Sequence, residues 1–209
     1  MDNDYLELGN FSGQFFTKEG IGISKVKALY RALTDTVIAR SGQDFIPKTF
    51  FLNSDNYDLS DISYISSNNK YTIICSCFDN MTARKNLFKS FLHTMQVLSE
   101  RVEQDLSDKF LFIDGGLSME YFRIYCIKGN DEQAKTKYSN EVLSLNDNDF
   151  EDDVCSMKQT SHIAAMIGAQ ITSFITNFIS NKHDNVEAKL VPYKYEYFAP
   201  LALSNQIVL

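Results

Sequence analysis

The stretch from Ile73 to Arg84, read Ile-Ile-Cys-Ser-Cys-Phe-Asp-Asn-Met-Thr-Ala-Arg, constrains what this chain can fold into more than any other. A short apolar run stops at an acid and an amide and passes into a segment of helical composition, the pattern of a strand feeding a helix. Tyr71 to Phe78 is rich in β-branched, aromatic and small residues, so it suits an inner strand covered on both faces. Asp79 then stands at the carboxyl end of that strand. In open α/β sheets this is the edge where loops diverge, and the following helix offers unpaired N–H groups to a ligand. Asp79 and Asn80 are therefore the first candidates for a site. A local alternative stands beside this: Asp is among the best N-caps, and Asp79 could simply cap a helix opening over Asn80 to Arg84.

Composition serves mainly to exclude. A chain of 209 residues can bury one sizeable core, so a single domain over residues 1–209 is expected. A hydrophobic share of 44% and a charged share of 22% are those of an ordinary globular protein. The net charge of −7 argues against a general nucleic-acid surface, which needs clustered Lys and Arg. No run is read as approaching the ~20 apolar residues of a membrane span, and Met-Asp-Asn-Asp-Tyr at the N-terminus is acidic instead of basic and then apolar. A cytoplasmic protein without membrane contact is expected. Four cysteines are too few for a disulfide framework, so free thiols are expected. Cys75 and Cys77 share one strand face and read as buried core thiols, zinc requiring further ligands.

Taken in order, Met1 to Phe16 reads as a turn-rich loop continued by Thr17 to Gly22, and Ser24 can cap a helix from Lys25 to about Arg40. Lys48 to Leu52 is a short strand. Leu87, Phe91, Met95, Leu98 and Val102 recur at helical spacing and predict a long helix from Met81 to about Leu106. Lys109 to Ile113 and Met119 to Lys128 are strands joined by so short a turn that they must pair antiparallel. Residues 129–154, acidic at Asp147, Asp149, Glu151, Asp152 and Asp153, read as a mobile crossover loop. A helix follows from Thr160 or Ser161 to Asn181, and residues 185–198 alternate as a two-stranded ribbon interrupted near Pro192. His93, His162 and His183 show no metal spacing.

Four local patterns in this order resemble the ThiF/MoeB and ubiquitin-activating-enzyme superfamily. Asp2-Asn3-Asp4 followed by Asn10 and Gln14 is similar to that family's D-x-D…N-x-x-R-Q. Gly22-Ile23-Ser24-Lys25 is similar to its G-x-x-K, and Asp79-Asn80-Met81-Thr82-Ala83-Arg84 to its D-N-x-x-x-R. The fourth is Ile113-Asp114-Gly115-Gly116 leading into a strand, with Cys155 ahead of a helix containing Ile167-Gly168-Ala169. The resemblance implies a Rossmann-like α/β fold: a mostly parallel sheet with helices on both faces and a C-terminal antiparallel ribbon. It implies an ATP-dependent adenylyltransferase that activates the C-terminal glycine of a ubiquitin-like or sulfur-carrier protein, commonly as a homodimer. Asp2 is implied as the ribose acid, Asn10, Gln14 and Asn80 as nucleotide contacts, and Lys25 as the triphosphate lysine. Asp79 is implied as the acid that helps hold magnesium, which favours one or two carboxylates plus phosphate oxygens. Cys155 matches the region of a nucleophilic cysteine.

Two departures qualify the resemblance. The family's first strand and glycine-rich loop precede D-x-D, and in this sequence nothing precedes Met1. Gly13 stands where N-x-x-R-Q has arginine, so the charge that orients phosphate must come from elsewhere, with Arg31, Arg84 or a second subunit as candidates. Truncation, a misplaced start or a degenerate protein would each give the first departure, degeneracy or such a compensating arginine the second, and the alternative to an active enzyme is a non-catalytic binding or scaffold subunit.

Overall fold

The computed structural model describes residues 4–8, 18–33, 71–146, 160–182 and 187–209. The chain separates into two compact units, Met1–Tyr57 and Asp58–Leu209. In the first, a helix over Lys25–Leu33 (α1) begins where the sequence predicts, while positions 34–40 lie outside the described residues. Tyr5 and Ser24 form an antiparallel bridge, and the Leu6 amide donates to the Ile23 carbonyl at 2.9 Å. Leu6 is buried against Gly20, where a Cβ would lie 2.9 Å from its Cδ2. The segment read as loop is thus tied to the start of α1 at its described positions.

The second unit is a mixed five-stranded sheet in the order β1-β2-β3-β4-β5. Its strands are Thr72–Ser76 (β1), Phe110–Leu117 (β2), Tyr121–Lys128 (β3), Lys194–Phe198 (β4) and Leu203–Ile207 (β5). β1 and β2 run parallel, and each later neighbour pairs antiparallel. The helices are Met81–Val102 (α2), Glu132–Glu141 (α3) and Ser161–Ser180 (α4). This is the expected α/β class with helices on both faces. The short strand expected at Lys48 to Leu52 lies outside the described residues.

Side-chain alternation along β2 explains the layering, since successive residues face opposite sides of the sheet. Leu111 and Ile113 join Phe122, Ile124 and Cys126 of β3 under Ile163, Ile167, Phe174 and Phe178 of α4. Phe110 and Phe112 meet Phe88 and Phe91 of α2 and Tyr138 of α3, with ring centroids 5.0 to 6.1 Å apart. Such pairs add to the area they bury because ring edges meet ring faces.

Four expectations are corrected. Among the described residues β1 is the outermost strand, and the strand covered on both faces is β2. Cys75 and Cys77 are accordingly exposed, and among the described residues only Cys126 is a buried thiol. The loop expected from residue 129 onward contains α3 instead, capped by the Asp131 carboxylate on the Ala134 amide at 2.8 Å. Charge concealed a buried stripe of Ala134, Tyr138 and Val142 at four-residue spacing. The part of that loop from 147 to 154 lies outside the described residues.

The C-terminal ribbon turns later than Pro192: β4 and β5 flank a short 3-10 turn at Ala199–Leu201, closed by Ala202 at φ 49°. Before it, α4 serves as the partner for an extended segment. Asn181 bonds both the amide and the carbonyl of Lys189 at 2.7 Å, and Asn177 donates to the Leu190 carbonyl at 2.8 Å. Finally, α4 carries no Asp, Glu, Lys or Arg and is long and apolar enough to cross a membrane by length and composition, which the sequence reading overlooked. Scattered Ser, Thr and Asn masked its apolar character. In the fold its apolar stripe covers the sheet.

Gly129 closes the β3–α3 corner so tightly that an added Cβ would collide with the Ser107 carbonyl and lie 2.7 Å from Met95 Sδ. Gly129→Ala is expected to destabilise by about 1–3 kcal/mol, the usual range for overpacking. A thermal melt within 1 °C of the parent would contradict this packing.

Candidate functional site

The turn after β1 decides between the two roles open to Asp79. The Asn80 side-chain oxygen accepts from the Ala83 amide at 2.7 Å, with Asn80 in extended conformation, so Asn80 is the N-cap of α2. Asp79, one residue earlier, is exposed, and among the described residues its side chain hydrogen-bonds only the Asn80 amide group, at 3.5 Å. No cation pairs with it among the described residues. The carboxylate at the tip of β1 is left unemployed by the helix, which is the condition for holding something else.

Beneath the turn lies a polar network. Asp114, on β2 opposite Ser76, is 1% exposed, and its Oδ2 accepts from Arg84 Nη1 at 2.7 Å and from the Tyr138 hydroxyl at 3.0 Å. The same guanidinium turns its Nε and Nη2 to the Phe78 carbonyl, at 2.9 and 2.5 Å. Arg84 is 8% exposed. The structure therefore places Arg84 beside the candidate turn, with its N–H groups directed at protein acceptors. Burial, reinforced by the Asp114 charge, pushes the Tyr138 hydroxyl well above the usual phenol range, so it remains a donor.

The remaining candidates are distributed differently. Lys25, at the start of α1 in the first unit, forms an ion pair with Asp4 at 2.7 Å. Asp2, Asn10, Gln14 and Cys155 lie outside the described residues. Among the described residues no cluster of three or more His, Cys, Asp or Glu side chains could hold a metal. Desolvation, with Cys77 adding to it, pushes the Cys75 thiol up to about 11 although the residue reaches the surface. Sequence reasoning missed Asp114 and Tyr138 as a unit. A lone acid directly after the apolar run Phe110 to Ile113 was the available signal, since a buried carboxylate demands a partner.

Two expectations follow. Asn80→Ala should lose about 1 kcal/mol, whereas Asp79→Ala should stay within about 0.5 kcal/mol of the parent in denaturant melts. A larger loss at Asp79 would return that residue to a structural role. At pH 8 the neutral thiol of Cys75 should react with iodoacetamide roughly a hundredfold more slowly than free cysteine, the rate rising as pH climbs towards 11, since each pKa unit is tenfold in thiolate.

No family model matches the chain, and no curated protein resembles it in sequence. Solved structures do match its fold. PaaA superposes with a TM-score of 0.56 at 15% identity, over 98% of this chain and 62% of PaaA. Escherichia coli MccB solved with ATP gives 0.58 at 12% identity, over 98% of this chain and 54% of MccB. MccB solved with MccA-N7isoASN gives 0.54 at 13% identity, over 98% and 55%. The chain thus spans little more than half the length of these neighbours, and at such identities the likeness is one of fold, an α/β architecture shared with PaaA and MccB.

Proposed function

We propose that this chain binds MgATP at the carboxyl tip of β1 and acts in the manner of the ThiF-like adenylyltransferases, activating the C-terminal glycine of a ubiquitin-like or sulfur-carrier protein. The observation that carries this reading is the division of labour at the turn. Asn80 caps α2, and Asp79 is left exposed with no ionic partner among the described residues. The fold shared with MccB, solved with ATP, supports it.

In this reading Asp79 holds magnesium, a role one carboxylate can fill when phosphate oxygens and water complete the shell. Magnesium, when bound, neutralises phosphate charge and orients the triphosphate. Asn80 fixes the start of α2 beside the phosphates, where the helix N-terminus favours negative charge. Lys25, Asp2, Asn10 and Gln14, all of the first unit, enter this reading as nucleotide contacts through the sequence resemblance alone. The carboxylate of the partner's C-terminus attacks the α-phosphorus, and pyrophosphate leaves. Cys155 would then take the acyl group from the acyl-adenylate as a thioester, and AMP leaves. A homodimer belongs to the same reading.

A second reading, a non-catalytic binding or scaffold subunit, is favoured by Arg84. Its Nε, Nη1 and Nη2 are engaged by Phe78 and Asp114, and Gly13 leaves no arginine at the resembling position. Calorimetry on the chain and on Asp79→Ala tests what the two readings share in binding. The variant should lose at least about tenfold in MgATP affinity, 1.4 kcal/mol, with an unchanged melting temperature. Equal affinity would refute the assignment of that acid. ATP–pyrophosphate exchange with ubiquitin-like and sulfur-carrier proteins then separates the readings: carrier-dependent exchange establishes the enzyme, and MgATP binding without exchange establishes the non-catalytic subunit.

A further inference from the structure

A buried ion pair is an expensive way to stabilise a core, because desolvation offsets much of the attraction and an apolar pair of the same volume often serves as well. The Arg84–Asp114 pair is more expensive than most. The second carboxylate oxygen of Asp114, Oδ1, has no hydrogen-bond partner among the described residues, nor has the buried hydroxyl of the adjacent Ser76. Stability alone therefore explains it poorly. Its geometry suggests another purpose, since one guanidinium engages two groups at once. On one side is an acid in the middle layer of the sheet. On the other is the Phe78 carbonyl, which lies beyond the last ladder pair of β1 and one residue before Asp79.

We propose that Asp114 and Tyr138 are positioning residues for the Asp79–Asn80 turn, acting through the Arg84 guanidinium. The Tyr138 hydroxyl, 3.0 Å from Asp114 Oδ2, sets the carboxylate; the carboxylate sets the guanidinium; two N–H groups of the guanidinium hold one carbonyl of the turn. The planar fork of arginine suits this double duty, which the single point of a lysine ammonium does not. Through Tyr138 the clamp also makes α3 answerable for the geometry of a turn on β1. That the turn binds MgATP rests on the function proposed above; that the clamp orders the turn does not.

Tyr138→Phe keeps the ring and removes only the hydroxyl, and Arg84→Lys keeps the charge and removes the fork. Backbone 15N order parameters of Phe78, Asp79 and Asn80 should fall from about 0.85, the value of rigid backbone, to below about 0.6 in both variants, while those of β2 and β3 hold. MgATP affinity should fall about tenfold, the fold-change carried by one hydrogen bond to a charged group. Unchanged order at residues 78–80 in both variants overturns the clamp, as does a loss of order spread evenly over the sheet. Reduced order with full MgATP affinity overturns its role in positioning for the nucleotide. If the parent chain gives no MgATP heat, the nucleotide reading fails, and the order parameters alone decide the clamp.

Discussion

The buried contact between Arg84 and Asp114 is the constraint around which the second unit is arranged. Asp114 occupies the middle of β2, the strand covered on both faces, where an unpaired carboxylate would be untenable. Its partner must come from an element lying across the sheet, and the end of the first turn of α2 supplies it. That single requirement sets how α2 enters, where the turn after β1 points, and which residue of α3 can face inward. The Tyr138 hydroxyl meets the same carboxylate while its ring packs on Phe88, Phe112 and Tyr125.

The two faces of the sheet consequently differ in kind. Under α2 and α3 the contacts are aromatic and enclose a polar centre; under α4 they are mainly aliphatic, and Gly115 lets the helix come close, a Cβ there falling 3.3 Å from Ile171. The candidate site belongs to the first face because only there does a polar network reach the strand tip. An apolar face could bring a helix near the edge of β1, but it could not anchor a backbone carbonyl. The position of Asp79 therefore follows from the chemistry beneath it as much as from the strand that precedes it.

How much was legible depended on the range of the interaction. The strand ending at Asp79, the long helix after it and the β2–β3 hairpin each follow from local pattern, and each is present within a few residues. Which of Asp79 and Asn80 caps the helix was left open, because Asp and Asn are nearly equal caps and only the dihedral angles of the turn choose between them. The helix α3 was hidden because its buried stripe is a single Ala-Tyr-Val line in a charged segment. The ribbon was set too early because alternation around Pro192 imitates a strand whose pairing partner is absent, while Asn177 and Asn181 bind the segment before it instead.

The sequence by itself determined the class of fold and an acid at the end of a strand opening a helix, because periodicity, turn residues and composition act over a few neighbouring positions. Only the tertiary structure decided that Asn80 caps and Asp79 does not, that β2 and not β1 is the covered strand, and that Arg84, Asp114 and Tyr138 form one unit. Those three side chains sit 24 to 30 positions from the carboxylate they share or from its partner. The physical reason is that a buried charge must find its counterpart in space, and nothing in the local pattern specifies which distant residue will be there.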